Sequence, residues 1–193
     1  VFDKTGTLTK AQPTVVDVVS FTDKPTEELL RIAACLEEHF PHSMAKAVVK
    51  SAIEKNLQHD EMHTKVEYLV AHGISTTIND VRVIIGSYHF IFEDEKCIIP
   101  EGKEALFESL PPEYSQLYLA IDGKLAAVIC IEDPVRQEAQ AVVNSLRKAG
   151  LSKIVMMTGD SERTASAIAK KVGVDEYYSE VLPEDKASFV EAE

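Results

Sequence analysis

Residues 14–22 are rich in Val, follow Pro13, and end at Asp23, Lys24 and Pro25, a pattern that predicts a strand bounded by turn residues. The period then lengthens. Leu29, Leu30, Ile32, Ala33 and Leu36 recur at helical spacing behind Thr26, Glu27 and Glu28, and the acidic first turn complements a helix N-terminus. Pro41 interrupts this pattern, and a second helix is predicted over 43–55, with Met44, Ala47, Val48 and Ile53 on one face. Short β-like runs follow at 66–70, 74–78 and 81–85, the last two separated by Asn79-Asp80, a hairpin turn signal. A helix over 101–110 stops at Pro111-Pro112, and a second hairpin, 116–121 and 124–131, turns at Asp122-Gly123.

Beyond Glu132 and Asp133 the pattern alternates between helix and strand. A helix over 135–149 ends at Gly150, a buried strand runs over 153–157, Ser161 opens a helix that Gly173 closes, and a strand covers 177–181. Such alternation predicts a parallel sheet, whereas the hairpins before it predict an antiparallel one. The expected fold is therefore α/β: a Rossmann-like domain built from 1–13 and 123–193, with 14–122 inserted as an α+β domain on an antiparallel sheet.

The chemistry gathers at strand ends. Val1-Phe2-Asp3-Lys4-Thr5-Gly6-Thr7-Leu8-Thr9 reads as a buried strand running into a loop, and ligands of open α/β sheets bind beyond the carboxyl ends of strands. Asp3 stands at that end, where a carboxylate can attack phosphorus and form an aspartyl phosphate. A Mg²⁺ is expected beside it, because an anion attacking an anionic phosphate must overcome repulsion. Thr158, with Gly159 and Asp160, occupies the end of another predicted strand, where its hydroxyl and amide would hold phosphate oxygens; Lys186 would add positive charge. His59 and His63, four residues apart, would share a helix face and could bind a metal, but the intervening Asp60, Glu61 and Met62 do not make an HExxH arrangement and a solvated loop explains the composition.

These motifs resemble, in order, those of the P-type ATPases, ion pumps of the haloacid dehalogenase superfamily. The matches are Asp3 to Thr9, Asp133 to Arg136, Thr158-Gly159-Asp160, and Pro183-Glu184-Asp185-Lys186. The resemblance implies that ATP phosphorylates Asp3, that Lys4, Thr5, Thr158, Gly159, Asp160 and Lys186 serve the transfer, and that Asp3 and Thr5 ligate Mg²⁺. Haloacid dehalogenase phosphatases carry a second Asp two residues after the nucleophile. Thr5 stands there instead, and losing a positioned general base costs hydrolysis typically ~10²–10⁴-fold, so the intermediate should persist.

The insert resembles the nucleotide-binding domain of the heavy-metal-transporting branch. Glu37 precedes His42 at the family's five-residue spacing, and Met44-Ala45-Lys46-Ala47 continues the pattern. By this resemblance Glu37, His42, Gly73 and Gly86 bind nucleotide, as do Asp133 and Arg136. Ser43 replaces a Pro, Ala71 the first glycine of a Gly-x-Gly element, and Ser87 an Asn. The expected protein is thus a cytoplasmic portion of an integral membrane pump. It binds ATP and works with membrane and actuator domains of the same polypeptide, and the transported metal cation is bound elsewhere. The chain reaches Glu193 ahead of the family's glycine and aspartate motif, so by itself it is expected to bind nucleotide but not to turn over. The alternatives are a soluble haloacid dehalogenase phosphatase with a large cap, or a nucleotide-binding module without catalysis.

Composition narrows the partners. Of 193 residues, 20 are Lys or Arg and 32 Asp or Glu, for a net charge of −12, which argues against nucleic acid. Cys35, Cys97 and Cys130 form no CxxC pair and suggest no disulfide framework. The apolar run at 125–131 is far short of the ~20 residues of a membrane helix.

Overall fold

The computed structural model describes residues 1–39, 42–57, 66–69, 73–182, 185 and 187, with backbone alone described for 66–69. The chain divides into two compact units. Unit one holds Val1–Gln12, Pro112–Ser115 and the chain from Asp133, and unit two holds Pro13–Pro111 and Gln116–Glu132.

Unit two is built on a six-stranded sheet. Its strands are β2 (Thr14–Ser20), β3 (Val66–Leu69), β4 (Gly73–Ile78), β5 (Val81–Gly86), β6 (Ser115–Ile121) and β7 (Lys124–Glu132), in the order β2-β7-β6-β5-β4-β3. Both predicted hairpins form. Asn79 and Asp80 have φ of 50° and 63°, Asp122 and Gly123 of 50° and 73°, the left-handed pairs that match the twist of two-residue hairpins. Residues Leu125 to Ile131 of β7 are all buried, so the strand is covered on both faces, as its unbroken apolar run requires. Helices α1 (Thr26–Glu37) and α2 (Ser43–Glu54) pack against one side, with Leu29, Leu30, Ala33 and Leu36 meeting Ile74, Ile85, Leu119 and Ile129.

Unit one contains a parallel sheet in the order β1-β8-β9, formed by β1 (Phe2–Asp3), β8 (Val155–Met157) and β9 (Glu176–Tyr178). Helices α4 (Ala139–Lys148) and α5 (Glu162–Val172) supply Val143, Ala165, Ile168 and Val172 to a core shared with Leu8, Ile154 and Met156. Gly173 closes α5 with φ 84°, its amide donating to the Ala169 carbonyl at 2.8 Å.

Three expectations are corrected. The return to the first domain was expected at residue 123; instead Lys124–Glu132 pairs with β2, and unit one resumes at Asp133. The helix expected over 135–149 begins at Ala139, because Val135 bridges Thr9 and the Arg136 amide donates to the Leu8 carbonyl at 2.9 Å. The helix expected over 101–110 shrinks to α3 (Glu104–Glu108), since Gly102 sits at φ 78° and breaks its first turn. His59, His63 and Ala71 lie outside the described residues. Among the described residues no helix is long and apolar enough to cross a membrane.

Gly73 and Gly86 face each other across β4 and β5. A Cβ at Gly73 would lie 2.3 Å from Phe90 Cδ1 and 2.5 Å from the Ile85 carbonyl oxygen, so packing alone demands glycine there. Gly73→Ala is expected to destabilise unit two by about 1–3 kcal/mol, the cost of overpacking. Urea denaturation followed by circular dichroism checks this, and an unchanged midpoint would show that β4 and Phe90 separate freely.

Candidate functional site

β1 ends at Asp3, directly opposite Met157 of β8, so Asp3 and Thr158 emerge side by side from neighbouring parallel strands. The sequence reading placed both at strand ends, and the register brings them together. The chain then makes a π-helical turn over Lys4–Leu8, within which Thr5 (φ −75°, ψ 121°) and Gly6 (φ 81°) leave helical geometry. Gly6 supplies the left-handed residue that this turn needs. Thr5 is exposed.

The loop is braced from behind. Asp133 accepts from the Thr9 hydroxyl at 2.5 Å and from the Gln12 amide at 3.1 Å. Arg136 donates from Nε to the Thr7 carbonyl at 3.0 Å and from its terminal nitrogen to the Gly6 carbonyl at 3.2 Å. Both residues were expected to contact the cofactor; the structure engages them in shaping the loop that follows Asp3.

Lys4 turns inward, with 4% of its surface exposed. Its ammonium lies 2.6 Å from Asp160 Oδ2 and donates to the Ser115 hydroxyl at 2.9 Å. Burial by itself would raise the Asp160 carboxyl. The Lys4 charge and hydrogen bond, with the Ser115 and Thr158 hydroxyls, outweigh it and hold the group below its ordinary value. The Thr158 hydroxyl donates to Asp160 and accepts from the Asp160 amide at 3.1 Å. The Thr158 amide, expected to hold phosphate, donates to the Tyr178 carbonyl at 3.0 Å, because Thr158 continues the ladder to β9. A Cβ at Gly159 would meet the Val181 carbonyl at an ordinary 3.6 Å, so packing does not require that glycine.

Sequence reasoning missed Ser115 and Thr164. Thr164, 1% exposed, donates to the Tyr114 carbonyl at 3.0 Å and ties Pro112–Ser115 to α5. No local pattern marked a short segment before a strand as part of the other unit. Lys186 lies outside the described residues.

In unit two, Glu37 closes α1 with 2% of its surface exposed. Its Oε2 makes no hydrogen bond, though His42 Nε2 lies 3.1 Å away, a contact that becomes an ion pair when the imidazole is protonated. His42 caps α2, its Nδ1 accepting from the Ala45 amide at 3.3 Å. A buried carboxylate oxygen without a donor is costly, and a ligand amino group is the chemistry that would satisfy it.

The chain matches the haloacid dehalogenase-like hydrolase family over residues 1–192. It belongs to that family. It is 35% identical over 191 residues to a zinc-exporting P-type ATPase of Mycobacterium marinum, an alignment covering 98% of this chain and 26% of that protein. It is 36% identical to a silver-exporting P-type ATPase of Salmonella typhimurium, covering 98% of this chain and 23% of that protein. The chain thus spans about a quarter of the length of the curated relatives it matches. The catalytic domain of the CPx-ATPase CopB-B, solved in a study of conformational changes upon nucleotide binding, superimposes with a TM-score of 0.72 at 27% identity. That match covers 99% of this chain and 64% of the other. The parallel sheet of unit one is the Rossmann-like part of the haloacid dehalogenase fold, and unit two is the α+β insert on an antiparallel sheet.

Breaking a buried ion pair by removing one partner costs about 3–5 kcal/mol, so Asp160→Asn is expected to destabilise unit one by that order at pH 7. Since the folded-state value of Asp160 is lowered, its contribution is complete above the ordinary value of 3.8 and fades as pH falls through the lowered one. Wild-type stability should therefore fall more steeply than that of Asp160→Asn below about pH 4. Thermal unfolding from neutral to acid pH checks this; parallel curves would refute it.

Proposed function

We propose that this chain is the nucleotide-binding and phosphorylation part of a heavy-metal-transporting P-type ATPase, in which ATP phosphorylates Asp3. The observation that supports this most directly is the placement of Asp3 opposite Met157, with Thr158 the next residue, at the carboxyl ends of adjacent parallel strands and next to a glycine-containing loop. Unit one, from 1–13 and the chain after the insert, is the phosphorylation domain. Unit two is the nucleotide-binding domain, and the chain lies on the cytoplasmic side of the membrane with membrane and actuator domains as partners. A metal cation is the cargo.

In this reading Glu37 accepts from the adenine amino group and His42 flanks the base, while Gly73 lets β4 pack against the Phe90 ring and Gly86 stands opposite Gly73 on β5. The orphan Oε2 of Glu37 is the group that fits this ligand. The Asp3 carboxylate and Thr5 form an all-oxygen donor set, which suits Mg²⁺, and the Lys4 ammonium is engaged with Asp160 and Ser115. Bound Mg²⁺ would neutralise phosphate charge. Thr158 and Lys186 would orient the transferring group, and the Asp133 and Arg136 braces keep the Asp3 loop in position. Thr5, exposed where a phosphatase carries its acid, gives water no proton acceptor, so the phosphoenzyme lasts.

Two measurements test the reading. Calorimetry of the chain with ATP should show binding that Glu37→Gln and His42→Ala each weaken about tenfold, 1.4 kcal/mol. The protein carrying this chain, given radiolabelled ATP and Mg²⁺, should form a hydroxylamine-sensitive phosphoenzyme that Asp3→Asn abolishes. Persistence of the label in Asp3→Asn would refute the assignment, and rapid turnover without a phosphoenzyme would favour a phosphatase.

A further inference from the structure

α2 carries two rows of side chains along one side. His42, Lys46 and Lys50 follow one another at four-residue spacing with Glu54 beyond, while Ala45, Val49 and Ile53 run beside them. Residues four apart on a helix lie one above the other, about 6 Å along the axis, so each row is continuous. A cavity of about 510 Å³ follows these rows, lined by Glu37, Lys46, Val49, Lys50 and Ile53 among others. That volume lies within the ~300–1,000 Å³ of small-ligand sites. Near the N-terminal end of α2, beside His42, stands Glu37 with its buried oxygen lacking a donor.

The charges along the cavity are uneven. Lys50 lies 3.7 Å from Glu54, an exposed pair that holds little energy. Glu38 also lines the cavity, with His39 3.8 Å from its carboxylate. Lys46 is exposed and has no ion pair among the described residues. The cavity therefore presents an acceptor for a ring-edge amino group at Glu37, an apolar row along its length for a flat ring and sugar, and an uncompensated cation one helical turn beyond His42. On a chain of net charge −12, a polyphosphate is repelled at long range and needs such a local cation.

On the nucleotide reading above, we propose that Lys46 receives the phosphate chain of the nucleotide whose base Glu37 holds, with Lys50 one turn further on as a second contact. A flexible ammonium suits this role, since it follows a mobile phosphate as a point charge. The lysine then adds nothing to binding of the uncharged nucleoside and progressively more as phosphates are added.

The test is a series of calorimetric affinities for adenosine, AMP, ADP and ATP, measured on the wild-type chain and on Lys46→Gln, Lys46→Arg, Lys46→Gln/Lys50→Gln and Lys24→Gln. Circular dichroism establishes that each variant is folded. Lys46→Gln is expected to weaken ATP about tenfold and leave adenosine unchanged, with a larger loss in the double variant and recovery in Lys46→Arg. Lys24→Gln, at an exposed lysine 2.5 Å from Glu28, changes neither. An ATP-to-adenosine affinity ratio unaltered by Lys46→Gln overturns the proposal while leaving the nucleotide reading intact. A parallel loss of both ligands also overturns it, because Lys46 would then act on the base or the fold. Absence of ATP binding to the folded wild type overturns this proposal and the nucleotide reading together.

Discussion

A lysine ammonium held away from water stays charged only if a carboxylate goes with it, and in unit one that carboxylate is Asp160. The pair joins the residue after Asp3 to the loop after β8, so the two strand ends carrying the candidate chemistry are fixed to each other. Hydroxyls complete the arrangement: Ser115 accepts a hydrogen bond from the ammonium, Thr158 donates to the carboxylate, and Thr164 anchors the segment that delivers Ser115. A half-satisfied network of this kind would be worse than an apolar core. Its position explains why Lys4 does not compete for the face on which Asp3 emerges.

The braces from Asp133 and Arg136 act on the same loop from the other side. Together with the Lys4 pair they hold a stretch of non-helical backbone, including one left-handed glycine, that would otherwise be free to sample many conformations. The catalytic possibilities of Asp3 thus rest on residues more than a hundred positions away in the chain. Unit two uses a different device. Its α1 and α2 bury an apolar face on the sheet and leave Glu37 at the helix end, buried and short of a donor. The His42 imidazole is occupied with capping α2, so its contact with Glu37 is set by the same hydrogen bond that starts the helix.

Much of this was legible in the residues themselves. Strand and helix period, the two left-handed turns at 79–80 and 122–123, the stops at Gly150 and Gly173, and the motif around Asp3 all depend on local chemistry, which a short stretch of sequence carries in full. Thr158 was legible as a strand-end residue for the same reason. Asp133 and Arg136 were legible as motif positions, while their hydrogen bonds to the loop after Asp3 were not, because a side chain's partner is chosen by the fold.

The tertiary structure alone decided the rest. That β7 stays with the antiparallel sheet, and that Pro112–Ser115 joins unit one, are outcomes of pairing between distant segments, which leave no trace in the pattern of either. The helix expected from residue 135 gave up its first turn to the loop at Leu8 and Thr9, a long-range contact overriding local propensity. Gly73 read as a ligand-approach glycine, yet the ring of Phe90 already excludes a Cβ there. Sequence by itself therefore determined which elements form and which strand ends carry the candidate phosphate chemistry, because backbone preference and burial period act over a few residues. Which groups are buried together, and so which charges are paired or left without a donor, was fixed only when distant strands came into register.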